Sequence, residues 1–177
     1  MCFDLRRRFL ANAEKLKSLL DLVPLSIEGG YFSETYRSAE PIPQECLPSR
    51  YSGSRSVGTC IYYLLEPNTF SEIHRVASDE IFHFYLGDPV EMLQLWPDGS
   101  GKRVLIGTDI ERGMAPQLVV PHGVWQGARL VAGGEFALMG CTVSPGFDYA
   151  DYESGNRSVL SEAYPDYRDM ICALTKP

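Results

Sequence analysis

The sequence is short of the features that mark several large functional classes. Its five cysteines (Cys2, Cys46, Cys60, Cys141 and Cys172) contain no Cys-x-x-Cys pair, and there are only three histidines. That set excludes a zinc finger and argues against a disulfide framework. Cys60 in TCIYYLL and Cys141 in FALMGCTV read as small buried hydrophobes of a reduced, cytoplasmic protein. No stretch approaches the ~20 apolar residues that span a bilayer. Positive charge is in deficit, with 16 Lys and Arg against 23 Asp and Glu and a formal charge of -7. Such a chain repels phosphate backbones and anionic headgroups, so nucleic acid and membranes are not expected partners, which leaves small molecules and other proteins. The opening MCFDLRRRFLANAEKLKSLL lacks the apolar core and cleavage site of a secretory signal, and the acid-free character of a transit peptide. Arg6-Arg7-Arg8 reads as a solvated helix face. There is no internal repeat.

What remains is an ordinary globular composition. With 177 residues, 45% of them hydrophobic and 22% charged, the chain is expected to form a single domain around one core. Residues 1–24 read as a helix, with Leu5, Phe9, Leu16, Leu19 and Leu20 at helical spacings and Pro24 as its stop. From Gly29 the pattern changes to short β runs punctuated by Gly, Pro, Asn and Asp. These include YFSETYR, GTCIYYLL, TFSEIHR, EIFHFYL, VEMLQLW, KRVLI, QLVV and EFALMGCTV, with PDGSG joining two of them as a hairpin. Many short strands without crossover helices predict an all-β sandwich, jelly roll or barrel over residues 29–144. Residues 145–177 are expected to pack on its surface, ending in one short helix with Met170, Ile171 and Leu174 inward.

The chemistry concentrates in His74-Arg75-Val76-Ala77-Ser78-Asp79-Glu80, followed by IFHFYLG. A histidine ending one strand and a glutamate opening the next can point into the same barrel interior. The segment resembles the first motif of the cupin superfamily, with His74, Glu80 and Gly87 at matching positions and Val76 where a second histidine belongs. Pro121-His122-Gly123 resembles the second motif, and Gln126 stands in place of its histidine. EGGYFSETYRS, TCIYYLL, FSEIHRVASDEIFHFYLGDPVE, VVPHGVWQG, GFDYADYE and YPDY are similar to the largely uncharacterised cupin-5-like branch, with Ser26-Ile27 replacing its usual His-Pro. The resemblance implies a double-stranded β-helix, the cupin jelly roll, with an N-terminal and a short C-terminal helix. It also implies a small-molecule ligand and a homodimer.

Two of the four positions of a three-histidine, one-glutamate metal set survive. No cofactor is therefore expected, and a weak metal site of His74, Glu80 and Gln126 is the lesser alternative. Without metal, His74 and Glu80 form a titratable pair suited to proton abstraction, with His74 as base and Glu80 orienting it. This suits an isomerase or epimerase of a carbohydrate-like or keto compound, similar to RmlC-like cupins that use a histidine and a tyrosine. The alternative is a binding barrel without catalysis. Alternation puts Glu72 on the face of His74, and Phe82 and Phe84 on the face of Glu80, as ligand-binding candidates beside Gln126. Tyr36 and Arg37 are further candidates, Arg37 as an anchor for an anionic group. Alternation leaves open which of Tyr36, Tyr62, Tyr63 and Tyr85 faces inward. It turns His83 outward unless a bulge intervenes, and a pocket role and a sheet-surface role are equally open.

Overall fold

A computed structural model describes residues 12–176. The chain runs α1 (Ala13–Leu19), β1 (Val23–Pro24), β2 (Tyr31–Arg37), β3 (Pro41–Ile42), β4 (Arg55–Ser56), β5 (Thr59–Leu65), β6 (Phe70–Arg75) and β7 (Asp79–Gly87). It continues through β8 (Val90–Leu95), β9 (Gly101–Ile106), β10 (Gln117–Val120), β11 (Trp125–Leu130), β12 (Ala137–Ser144), β13 (Glu153–Ser154), α2 (Arg157–Ala163) and α3 (Arg168–Ala173). A six-stranded sheet in the order β1-β2-β5-β12-β7-β10 faces a five-stranded sheet in the order β13-β6-β11-β8-β9. All pairings within both sheets are antiparallel. This is the expected jelly roll.

Its core lies between the sheets, where alternate residues from both inner faces meet. Tyr63, Leu65, Phe82, Met92, Val120, Met139 and Cys141 form one buried cluster. Each fully buried large apolar side chain contributes ~1.5–3 kcal/mol, so this cluster is the main source of stability. The PDGSG hairpin forms as read: Trp96 N–H donates to the Ser100 carbonyl at 2.8 Å, and Asp98 accepts from Ser100 N–H at 2.9 Å.

Both ends of the chain close outer faces. In α1, Asn12 caps the first turn by accepting from Lys15 N–H at 2.8 Å. Leu16 seats against Leu64, Phe136 and Leu138, while Leu19 stays exposed. Leu5, Phe9, Cys2 and the Arg6–Arg8 run lie outside the described residues. The C-terminal segment forms two short helices rather than one. Tyr164 precedes Pro165, which disfavours helical backbone at Tyr164, so α2 stops and α3 restarts after a tight turn over Pro165–Tyr167. Met170, Ile171 and Leu174 do turn inward, covering Ile73, Leu93 and Leu95 on the outer face of the five-stranded sheet. No helix among the described residues is long and apolar enough to cross a membrane.

Candidate functional site

Four segments deliver polar side chains to one point between the sheets. His74 comes from β6 and Glu80 from the start of β7, across the turn that holds buried Val76. Gln126 comes from β11, where a register shift between Gln126 and Ala128 sets Gln126 opposite His74. Glu28 comes from the loop before β2. Gly29 has φ +104°, and a Cβ there would lie 2.2 Å from the Phe70 carbonyl oxygen, so only glycine lets the loop sit this close to β6. The Glu28 carbonyl in turn accepts from Glu72 N–H at 2.8 Å.

The resulting network is closed around His74. Its Nδ1–H donates to the Glu72 carbonyl at 2.7 Å, which leaves Nε2 as the acceptor. The Gln126 amide N–H group faces that nitrogen at 3.3 Å and also donates to the Glu80 carboxylate. Glu80 Oε2 is 3.8 Å and Glu28 Oε2 is 4.0 Å from His74 Nε2. Ser71 Oγ donates to Glu28 at 2.6 Å, and Cys141 Sγ to Glu80 at 3.6 Å. The Tyr152 ring stacks on the imidazole, centroids 4.9 Å apart. Gln126 Oε1 and the Tyr152 hydroxyl are buried without a hydrogen-bond partner.

Burial sets the electrostatics. It pushes the Glu80 carboxyl up to about 7; His74 opposes the shift, Glu28 adds to it, and the donors Cys141 and Gln126 oppose it. For His74 burial acts downward, but Glu28, Glu80 and the Glu72 carbonyl more than offset it, and the imidazole pKa lies above its ordinary value. Burial, then Glu80 and Glu28, hold the Cys141 thiol protonated, which disqualifies it as a nucleophile.

A cavity of ≈ 80 Å³ reaches this cluster from the surface. Glu28, Glu80 and Cys141 form its floor; Phe32, Ile61 and Val143 line its walls; Glu34, Arg37, Phe147 and Tyr149 stand at its mouth. Glu80 is therefore the member of the pair that borders open space, and His74 lies behind it.

The other expected residues divide. Arg37 does reach the cavity, but Tyr36 is 57% exposed. A bulge between Glu34 and Tyr36 inserts one residue into β2, so that Arg37, not Tyr36, follows Phe32 and Glu34 on the inner face. Phe82 and Phe84 face inward as alternation requires, yet they fill the core rather than line the cavity. Glu72 does not line the cavity; its carboxylate pairs with Lys176 at 2.7 Å. His83 sits on the outer face, in contact with Thr142 and Gln117 at 3.2 Å each, because β7 has no bulge between Glu80 and His83. Of the strand tyrosines, Tyr63 is the buried inward one, and its hydroxyl donates to the Gly29 carbonyl at 2.9 Å. Glu28, Cys141 and Tyr152 are members of the cluster that strand alternation around His74 did not reach. The Gly-Gly pair after Glu28 was the available signal for the first.

A metal set is not what these residues build. Val76 supplies no donor atom. The Gln126 N–H group, donating to Glu80 and facing His74, fills the space between the two surviving ligand positions. Among the described residues, no group of three or more His, Cys, Asp and Glu is arranged to hold a metal ion. The donor set does not fit a transition-metal centre.

Comparison with known proteins places the chain. The Cupin_5 family model (cupin superfamily, DUF985) matches residues 14–155. The chain is 34% identical over 134 residues to the Saccharomyces cerevisiae uncharacterized protein YML079W, covering 71% of this chain and 66% of the yeast protein. Among solved structures, a hypothetical protein from Leishmania major superposes with a TM-score of 0.84 at 34% identity, covering 94% of this chain and 100% of that one. Protein SO0799 from Shewanella oneidensis gives 0.83 at 30% identity, covering 95% and 99%.

Proposed function

Since the chain belongs to the Cupin_5 family of the cupin superfamily, we propose that its barrel interior binds a small organic molecule and moves a proton on it, with Glu80 as the acid–base group. One observation carries this reading: a buried carboxyl, pushed up to about 7, borders a cavity open to the surface while an imidazole stands 3.8 Å behind it. A group that titrates near the working pH is both a competent base and a competent acid. The roles are thus reversed from those that the strand pattern implies, because His74 is screened from the cavity and Glu80 is not.

The reaction is an isomerisation or epimerisation of a carbohydrate-like or keto compound. Glu80 takes the proton from a carbon beside a carbonyl, the electron pair moves into the carbonyl, and the proton returns to a neighbouring atom or the other face. No proton is gained or lost overall. His74 backs Glu80 from 3.8 Å, and Tyr152 and Gln126 hold His74 in place. A cavity of ~150 Å³ accepts benzene. By that scale, ≈ 80 Å³ accommodates about three heavy atoms, so the site takes the reacting end of its ligand and the remainder lies at the mouth beside Arg37. The free thiols of Cys46, Cys60, Cys141 and Cys172 support a cytoplasmic setting.

The test needs no known substrate. Small hydroxy-carbonyl compounds, starting with glycolaldehyde and dihydroxyacetone, are incubated with the protein in D₂O, and deuterium entry beside the carbonyl is followed by NMR. Enzyme-dependent exchange that disappears in Glu80→Gln is the expected result. Binding of the same compounds with no exchange, in wild type and variant alike, identifies a binding barrel without catalysis and overturns the proposal.

A further inference from the structure

The cavity floor is unbalanced in both charge and hydrogen bonding. Its lining carries Glu28, Glu34 and Glu80 against a single cation, Arg37. That guanidinium is already committed, donating to Glu34 at 2.9 and 2.7 Å and to the Phe147 carbonyl at 3.1 Å. The two carboxylates at the bottom receive only neutral donors: Ser71 on Glu28, and Cys141 and Gln126 on Glu80. Each carboxylate has about four lone-pair sites, so acceptor capacity is left over on both. His74 Nε2 is 3.8 and 4.0 Å from them, beyond hydrogen-bond length. The floor therefore offers acceptors and no free donor. A carboxylate pushed into it meets only lone pairs.

We infer that the ligand group seated on this floor is a primary ammonium, held between Glu28 and Glu80. The inference rests on the cavity being the ligand site. An ammonium brings three N–H donors and the missing positive charge. The aromatic ring of Phe32 on the wall, with those of Phe147 and Tyr149 at the mouth, favours a cation over an anion. The size also matches, since ≈ 80 Å³ admits an alkylammonium of about three heavy atoms. The substrate class narrows accordingly to small amino compounds, such as an amino-ketone or the amino end of a larger molecule.

Ethylammonium, ethanol and acetate test this on the wild-type protein, because they match in size and differ in charge and donors. Affinities are measured by ligand-observed NMR at pH 8. The expected result is ethylammonium binding at least tenfold tighter than either of the others, weakening as pH falls through the range in which Glu80 protonates. Glu28→Gln is expected to cut that binding about tenfold. Ethanol or acetate binding as well as ethylammonium overturns the inference while leaving a ligand cavity in place. Binding of tetramethylammonium or sodium as tightly as ethylammonium also overturns it, since neither donates hydrogen bonds. If none of the probes binds and no deuterium exchange occurs, the underlying site reading falls as well. The isostere comparison needs no variant, so a folding defect in Glu28→Gln does not blunt it.

Discussion

Replacing Glu80 by glutamine isolates the electrostatic cost of the site. In the native protein Glu80 is 6% exposed, and its carboxyl is raised from 4.5 to about 7. Between those two pH values the folded chain keeps a proton that the unfolded chain has released. Stability therefore falls as pH rises through this window, and the full penalty is present above it. At ~1.36 kcal/mol per pH unit, the penalty at pH 8 is on the order of 3 kcal/mol. Glutamine cannot ionise, and its carbonyl still accepts the Gln126 N–H. The stability of Glu80→Gln relative to wild type should thus rise by on the order of 3 kcal/mol between pH 4.5 and pH 8. His74 acts in the same direction. Its raised pKa gives stability that is complete below about 6.5 and lost as pH rises through the folded value. Glu80 is one cause of that elevation, so the loss is smaller in the variant. Urea unfolding of both proteins at four or five pH values gives the curve, and all groups not coupled to Glu80 cancel in the difference. A difference flat to within about 1 kcal/mol refutes the argument, because it means that Glu80 titrates like an exposed carboxyl.

Three other perturbations address separate links. Gly29→Ala should destabilise by more than the ~1–3 kcal/mol of a strained left-handed backbone. Its Cβ also meets the Phe70 carbonyl at 2.2 Å, and thermal unfolding reads the loss. Gln126→Leu removes a donor from buried Glu80, costing ~1–3 kcal/mol and raising the carboxyl midpoint seen by ¹³C NMR; an unmoved midpoint contradicts the amide assignment. The homodimer expected from the fold's exposed strand edges should appear in light scattering as twice the chain mass at micromolar concentration, and a monomer mass removes it.

The β grammar, the hairpin at PDGSG and the inward pair His74 and Glu80 were legible in the sequence because each depends on neighbours a few residues apart. Strand alternation fixes a side chain's face wherever pairing is regular, which is why Phe82 and Phe84 point inward and His83 points outward in β7. Alternation fails at bulges. The extra residue in β2 exchanged Tyr36 for Arg37, and nothing local announces it. Nor does a shared face put two side chains in one cavity: Glu72 lies on the face of His74, yet its carboxylate pairs with Lys176 and does not line the cavity. Glu28 and Tyr152 lie 46 and 78 residues from His74 in the chain and meet it only because β6 is flanked by the Gly-Gly loop and by the C-terminal segment. The sequence by itself determined which residues could carry charge and which strand faces they occupy. Tertiary structure alone decided which of them share one desolvated space. It is this shared burial that raises Glu80 and leaves it, rather than His74, at the border of the cavity.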